Sequence, residues 1–173
     1  MAKKDTPAGA AKGNGSVKKL RKLMKDIRIA MLTTVARDGS LRSRPMMTSD
    51  VEFDGNLWFV ASGRSALAED ITGNPKVSVT YANTKGSRCI SVSGKGSFVR
   101  DDGKLKKLWS GRHKAWFPEG RKDPDLTLLC VEVQFAEYWD ATADGVQLSK
   151  FVRPDPEPVL AGSDDGTGAG AQG

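Results

Sequence analysis

The chain has 173 residues and a formal net charge of +6, long enough to bury a core of its own as one domain. It has no apolar run near the ~20 residues of a membrane helix and no apolar centre of a secretory signal, so a cytoplasmic protein is expected. Two distant cysteines, Cys89 and Cys130, make neither a zinc pattern nor a disulfide framework and read as buried small apolar residues.

The charge is uneven along the chain. Residues 1–28 carry nine Lys/Arg against two acids, residues 29–150 seventeen against fifteen, and residues 151–173 one against four. The first 15 residues, rich in Gly, Ala and Lys, read as a disordered basic tail, solvated rather than nucleic-acid-bound. The domain is expected over residues 16–150, with 151–173 a second disordered tail of Pro, Gly and acids.

Val17, Leu20, Leu23, Met24 and Ile27 recur at three- and four-residue spacing and predict an amphipathic helix over 16–27. Segments 29–36, 41–50 and 57–62 then read as three strands in antiparallel succession, joined at Asp38-Gly39 and Asp54-Gly55. Ser65 is placed to cap a short helix that Gly73-Asn74-Pro75 ends. Segments 76–82 and 88–100 alternate cleanly, and Gly94 and Gly96 inside the second allow sharp coiling or close approach. A helix over 102–116 and strands over 126–133 and 136–141 follow. Short antiparallel strands with few helices predict a small, mainly β barrel.

On the strand at 41–50, alternation puts Arg42, Arg44, Met46 and Thr48 on one face. Two guanidiniums and a hydroxyl suit an anion such as phosphate, although a solvent-facing strand carries the same pattern. Ser62, Arg64 and Ser65 surround a helix start whose backbone N–H groups also suit phosphate, with ordinary capping as the alternative. The single histidine, His113, lies between Arg112 and Lys114 and reads as exposed. Trp109, Trp116 and Trp139 read as core or interface residues. No GxxxxGK loop and no GxGxxG after a strand is present, which removes the usual support for nucleotide hydrolysis and Rossmann dinucleotide binding.

In order, the segments IAMLTTVARDGSLRSRPM, LWFVASGRS, SVSGKGSFVRD and AWFPEGRKDPDLTLLCVEVQFAEYWD resemble the general stress protein class of the pyridoxamine 5′-phosphate oxidase-like, FMN-binding split barrels. The resemblance spans roughly residues 16–142. It implies a six-stranded antiparallel split β-barrel with flanking helices and a homodimer with FMN in a groove at its interface. FAD and a deazaflavin stay open as alternatives. It further implies that Arg44, Pro45, Met46 and Met47 lie along the flavin with Arg44 on the phosphate, beside Arg42. Ser62 and Ser65 would form the phosphate turn, and Trp139 would approach from the partner.

Some positions depart from the family pattern. Leu67 stands where many relatives carry a lysine, leaving Arg64 to supply charge, and Cys89 stands where true pyridoxamine-phosphate oxidases have a flavin-contacting glutamine. Their C-terminal arginine-leucine-histidine motif is missing, because the chain continues DATADGVQLSKF after Trp139. The expected function is therefore an FMN-binding stress-response protein, a flavin-dependent oxidoreductase or flavin-reductase-like protein without pyridoxamine-phosphate oxidase activity. The alternative is a non-enzymatic flavin, deazaflavin or haem carrier or interaction module.

Overall fold

A computed structural model of the chain describes residues 14–48, 53–83, 86–142 and 145–153. The elements are α1 (Asn14–Met24), β1 (Ile29–Val35), β2 (Leu41–Met47), β3 (Asn56–Ser62), α2 (Ala66–Gly73), β4 (Lys76–Asn83), β5 (Arg88–Val99), α3 (Asp102–Leu108), two 3-10 turns (Gly111–Ala115 and Gly120–Lys122), β6 (Leu126–Thr142) and β7 (Gly145–Val152). Residues 1–13 of the tail expected over 1–15 and most of the C-terminal one lie outside the described residues, as do positions 49 and 50 of the second expected strand, while residues 14 and 15 open α1. Strand β7 runs past residue 150 to Val152.

Every strand pairing is antiparallel, and the sheet order is β2-β1-β4-β5-β6-β3. The sheet curls, and its terminal strands β2 and β3 share no ladder among the described residues. That is the six-stranded split barrel expected from the sequence. β7 is an addition to it: β6 is long enough to pair with β3 through Leu126–Glu132 and with β7 through Phe135–Thr142, end to end along one edge.

The Asp38-Gly39 turn closes the β1–β2 hairpin, with Gly39 at φ +81° and the Ala36 N–H donating to the Ser40 carbonyl at 2.8 Å. The Asp54-Gly55 turn does not close a β2–β3 hairpin, because β3 pairs with β6, which corrects the reading of three strands in antiparallel succession. The Gly55 carbonyl accepts instead from the Val133 N–H and from the Arg153 guanidinium, so the turn is committed to β6 and β7.

Gly94 shapes the wall. The β5–β6 register shifts between Ser93 and Gly94, leaving Gln134 as an extra residue on β6, and a Cβ at Gly94 would run into the Glu132 carbonyl. The segments read from sequence as strands at 126–133 and 136–141 are thus one strand that bends at Gln134.

Side chains of alternate strand positions fill the barrel, among them Leu32, Val79, Ile90 and Leu129, all fully buried, and α1 adds Leu20 and Leu23 to the same cluster. A second, smaller cluster joins Val60, Leu108, Leu126 and Leu128 to Trp58, Leu105, Trp109 and Phe117. This covering of β3 and β6 from outside explains why LTLLCV is buried on both faces instead of alternating. The helix expected over 102–116 stops at Leu108, because Ser110-Gly111 opens a separate 3-10 turn.

Candidate functional site

Where β2 and β3 fail to meet, the gap is a cavity of about 350 Å³. β2 supplies Arg44, Pro45, Met46 and Met47, the end of β3 supplies Val60, Ala61 and Ser62, and the start of α2 supplies Ser65, Ala66 and Leu67. The segment after α3 adds His113, Trp116 and Phe117. Pro45, which lacks a backbone donor, is tolerated because β2 is an edge strand. Pro45 and Arg44 point to opposite faces of β2, yet both reach the cavity because no strand flanks that edge.

Arg44 is held from behind. Its guanidinium donates to Asp70 Oδ2 and to Thr34 Oγ1, each at 2.8 Å, and the Thr34 hydroxyl donates to the same Asp70 oxygen at 2.8 Å. Thr34 is fully buried and Asp70 nearly so. The Arg44 hydrogen bond, aided by Thr34, holds the Asp70 carboxyl below its ordinary range against the opposing pull of burial. These bonds use two of the five guanidinium donors, so Asp70 aims Arg44 without exhausting it.

Ser65 caps α2, its Oγ accepting from the Ala68 N–H at 3.3 Å and donating to the Ser62 carbonyl at 2.8 Å. The Ser62 hydroxyl accepts from the Arg64 N–H at 3.3 Å, closing a compact hydroxyl-lined turn at the cavity. Six of the nine site residues expected from the sequence therefore share one cavity: Arg44, Pro45, Met46, Met47, Ser62 and Ser65.

The other three do not line it. Arg42 is half exposed and pairs with Asp38 at 3.7 Å. Arg64 points away, 82% exposed, to an ion pair with Asp125 at 3.1 Å beside a different cleft. Trp139 lies on β6 opposite Cys89 of β5 and Leu148 of β7.

Two sequence readings are overturned nearby. His113 is buried, 3% exposed, because the 3-10 turn points it inward while its charged neighbours Arg112 and Lys114 stay outside. Burial pushes its imidazole below the ordinary range. Cys89 is exposed rather than buried, since it falls on the outward face of β5. Cys130 is buried as expected, which pushes its thiol up. Sequence reasoning missed His113, Trp116 and Phe117 as cavity residues; the signal available was the aromatic spacing of Trp109, His113, Trp116 and Phe117 in a segment rich in glycine and proline.

The match to known proteins covers this whole architecture. The model of the pyridoxamine 5′-phosphate oxidase-like family matches residues 15–153, and the chain belongs to that family. The Neurospora crassa protein bli-3 is 27% identical over 129 residues, which are 69% of this chain and 62% of that protein, so the chain spans less than two thirds of that relative's length. The solved structure of a general stress FMN/FAD binding protein from Xanthomonas citri is 26% identical, with a TM-score of 0.63 over 75% of this chain and 92% of that one. A Clostridium acetobutylicum protein related to general stress protein 26 shares the fold, with a TM-score of 0.65 at 18% identity over 80% of this chain and 94% of that one. Among the described residues, no helix is long and apolar enough to cross a membrane.

Proposed function

We propose that the chain is an FMN-binding protein of the general stress type, acting as a cytoplasmic homodimer in flavin-dependent electron transfer. The observation that carries this reading is the cavity between the unpaired strands, where an anchored arginine, two serine hydroxyls and apolar walls converge. Its volume of about 350 Å³ falls within the range of small-molecule sites. The Xanthomonas citri relative, an FMN/FAD binding protein, supports the flavin as ligand.

The residues fit an FMN phosphate with one cation rather than two. Leu67 turns an apolar side chain to the cavity and Arg64 is drawn off to Asp125, so Arg44 carries the charge, assisted by Ser62 and Ser65. Pro45, Met46 and Met47 provide the edge along which the flavin ring would lie. Bound FMN would supply the redox chemistry, accepting electrons from a reduced donor and passing them to an acceptor, while the protein binds and orients it. Oxidation of pyridoxamine phosphate is not proposed, given Cys89 and the missing C-terminal motif.

A second copy of the chain is the proposed partner. Ile29 and Met31 of β1 and Leu41 of β2 expose 58, 41 and 72% of their surface on one outward face, next to Pro45 and Met47 of the cavity. Burying this face would also shield the cavity mouth from water.

Titrating ligand-stripped protein with FMN, FAD and a deazaflavin, followed by flavin fluorescence, tests the reading. Saturable binding of one FMN per subunit is expected, and absence of saturation with FMN removes it. If bound flavin is not reduced by a nicotinamide donor, the carrier reading replaces the electron-transfer one.

A further inference from the structure

A second cavity, of about 420 Å³, lies between α1 and the first half of β3. It shares no lining residue with the cavity between β2 and β3: Asn56, Leu57, Trp58 and Phe59 face the one, and Val60, Ala61 and Ser62 the other. Its size is that of a small-molecule site. Its walls are apolar and largely aromatic, since Phe53, Leu57, Phe59 and Leu108 are all buried and Trp58 adds indole surface.

One side of this cavity is basic for a reason of helix geometry. Lys18 and Lys22 of α1 and Lys25 just past its end, spaced four and three residues apart, fall on one stripe that runs beside the buried stripe of Leu20, Leu23 and Ile27. Among the described residues, no carboxylate lines the cavity and none of these three lysines is in an ion pair. Like charges at this spacing weaken a helix, so an anion bound along them would relieve it.

An independent observation comes from the opposite wall. Tyr81 reaches the cavity from β4 and is 3% exposed. Among the described residues, no hydrogen bond holds its hydroxyl, yet the side-chain polar atoms sealed away without a partner are Trp58 Nε1 and His113 Nε2 alone. The Tyr81 hydroxyl therefore opens onto the cavity instead of being shut in the core. Burial pushes the phenol up, so it stays protonated with a hydrogen bond to give. Ammonium groups suit any anion, but the weight of apolar wall selects a ligand that is mostly hydrocarbon and carries one charged end.

We propose that this cavity binds a small aromatic carboxylic acid, with its ring against the apolar wall, its carboxylate at the lysines of α1 and the Tyr81 hydroxyl donating to a ligand oxygen. The site is separate from the flavin site and does not rest on that reading.

The chain has two tyrosines, Tyr81 and Tyr138, so ring-¹³C-tyrosine protein gives two sets of signals, which Tyr138→Phe assigns. The probe is 3-phenylpropionate, with 3-phenylpropan-1-ol as its uncharged counterpart and inorganic phosphate as charge without an apolar body. In the full-length protein, 3-phenylpropionate is expected to shift the Tyr81 signal saturably, leave Tyr138 unmoved and bind roughly fivefold more tightly than the alcohol. Replacing both exposed lysines, Lys18→Gln with Lys22→Gln, should weaken the acid by about 3–10-fold and leave the alcohol and FMN unchanged. A Tyr81 signal that stays still at millimolar probe overturns the inference, as does equal binding of acid and alcohol. An equal shift with phosphate overturns it by making the lysines a plain anion patch, and displacement of the probe by FMN overturns it by placing the probe in the other cavity. Failure of FMN to bind removes the flavin reading and leaves a saturable Tyr81 shift in support of this site.

Discussion

Arg42 and Arg44 share a strand face and a charge, yet the structure gives them different work. Arg42 meets Asp38 in solvent, where an exposed pair contributes little. Arg44 is braced by Asp70 and Thr34 at the cavity. Arg44→Ala is therefore expected to weaken FMN binding roughly 10–100-fold, the scale of a charge-assisted bond, while Arg42→Ala stays within about twofold. Equal affinities in fluorescence titration would separate Arg44 from the phosphate. His113 gives a prediction in pH. Its folded-state imidazole is depressed below the ordinary value of about 6.5, so in acid the unfolded chain binds the extra proton first. The stability tied to the neutral ring is complete above about pH 6.5 and is lost as the pH falls below it. Denaturant melts between pH 7 and 5 should show this slope in the wild type and a flatter one in His113→Phe. Asp70 acts in a separate window: its depressed carboxyl contributes fully above the unfolded value of 3.8, and that contribution is lost as the pH falls further, through its folded value.

At the scale of elements, what the sequence revealed depended on how local the cause was. The β1–β2 hairpin and the Ser65 cap follow from neighbours within a few positions, and both form as read. The fate of β3 did not, because Asp54-Gly55 specifies a turn but not a partner, and the partner lies beyond residue 125. His113 was misread for a related reason. Its sequence neighbours are charged, and only the break after α3 and the packing of Trp109 carry it inside. The glycine reading in β5 was sounder, and it separates two substitutions. Gly94→Ala sets a Cβ against the Glu132 backbone at the bulge and should cost roughly 2–4 kcal/mol. Gly96→Ala meets only the side chains of Ile71 and Val77 at 3.3 Å, which can give way, and should cost about 1 kcal/mol. Similar midpoints for the two in urea melts would argue against a rigid clash at the bulge.

For the whole molecule, the question is what covers the outward face of β1 and β2. Ile29 pairs with Met47, Met31 with Pro45 and Val35 with Leu41, which gives an apolar face across two strands, interrupted by the hydrogen-bonded Thr33–Ser43 pair. If a second copy covers it, Leu41→Glu should yield a monomer in sedimentation velocity and weaken FMN binding, with the melting temperature of the subunit little changed. A dimer that survives with full affinity would place the interface elsewhere. The side chain is 72% exposed in the single chain, so the substitution disturbs no internal packing.

The separation of β2 from β3 has a consequence in time as well as in space. The two strands are sequence neighbours but stand at opposite ends of the sheet, and β3 finds its place only against Leu126–Glu132. The β1–β2 hairpin can form early from local contacts, whereas the far wall of the cavity must wait for a chain closure of about seventy residues. The site is then among the last parts of the molecule to exist. A ligand that needs both walls can reward the finished fold without guiding the chain toward it, and its stabilisation falls on the rate of unfolding rather than on the rate of folding.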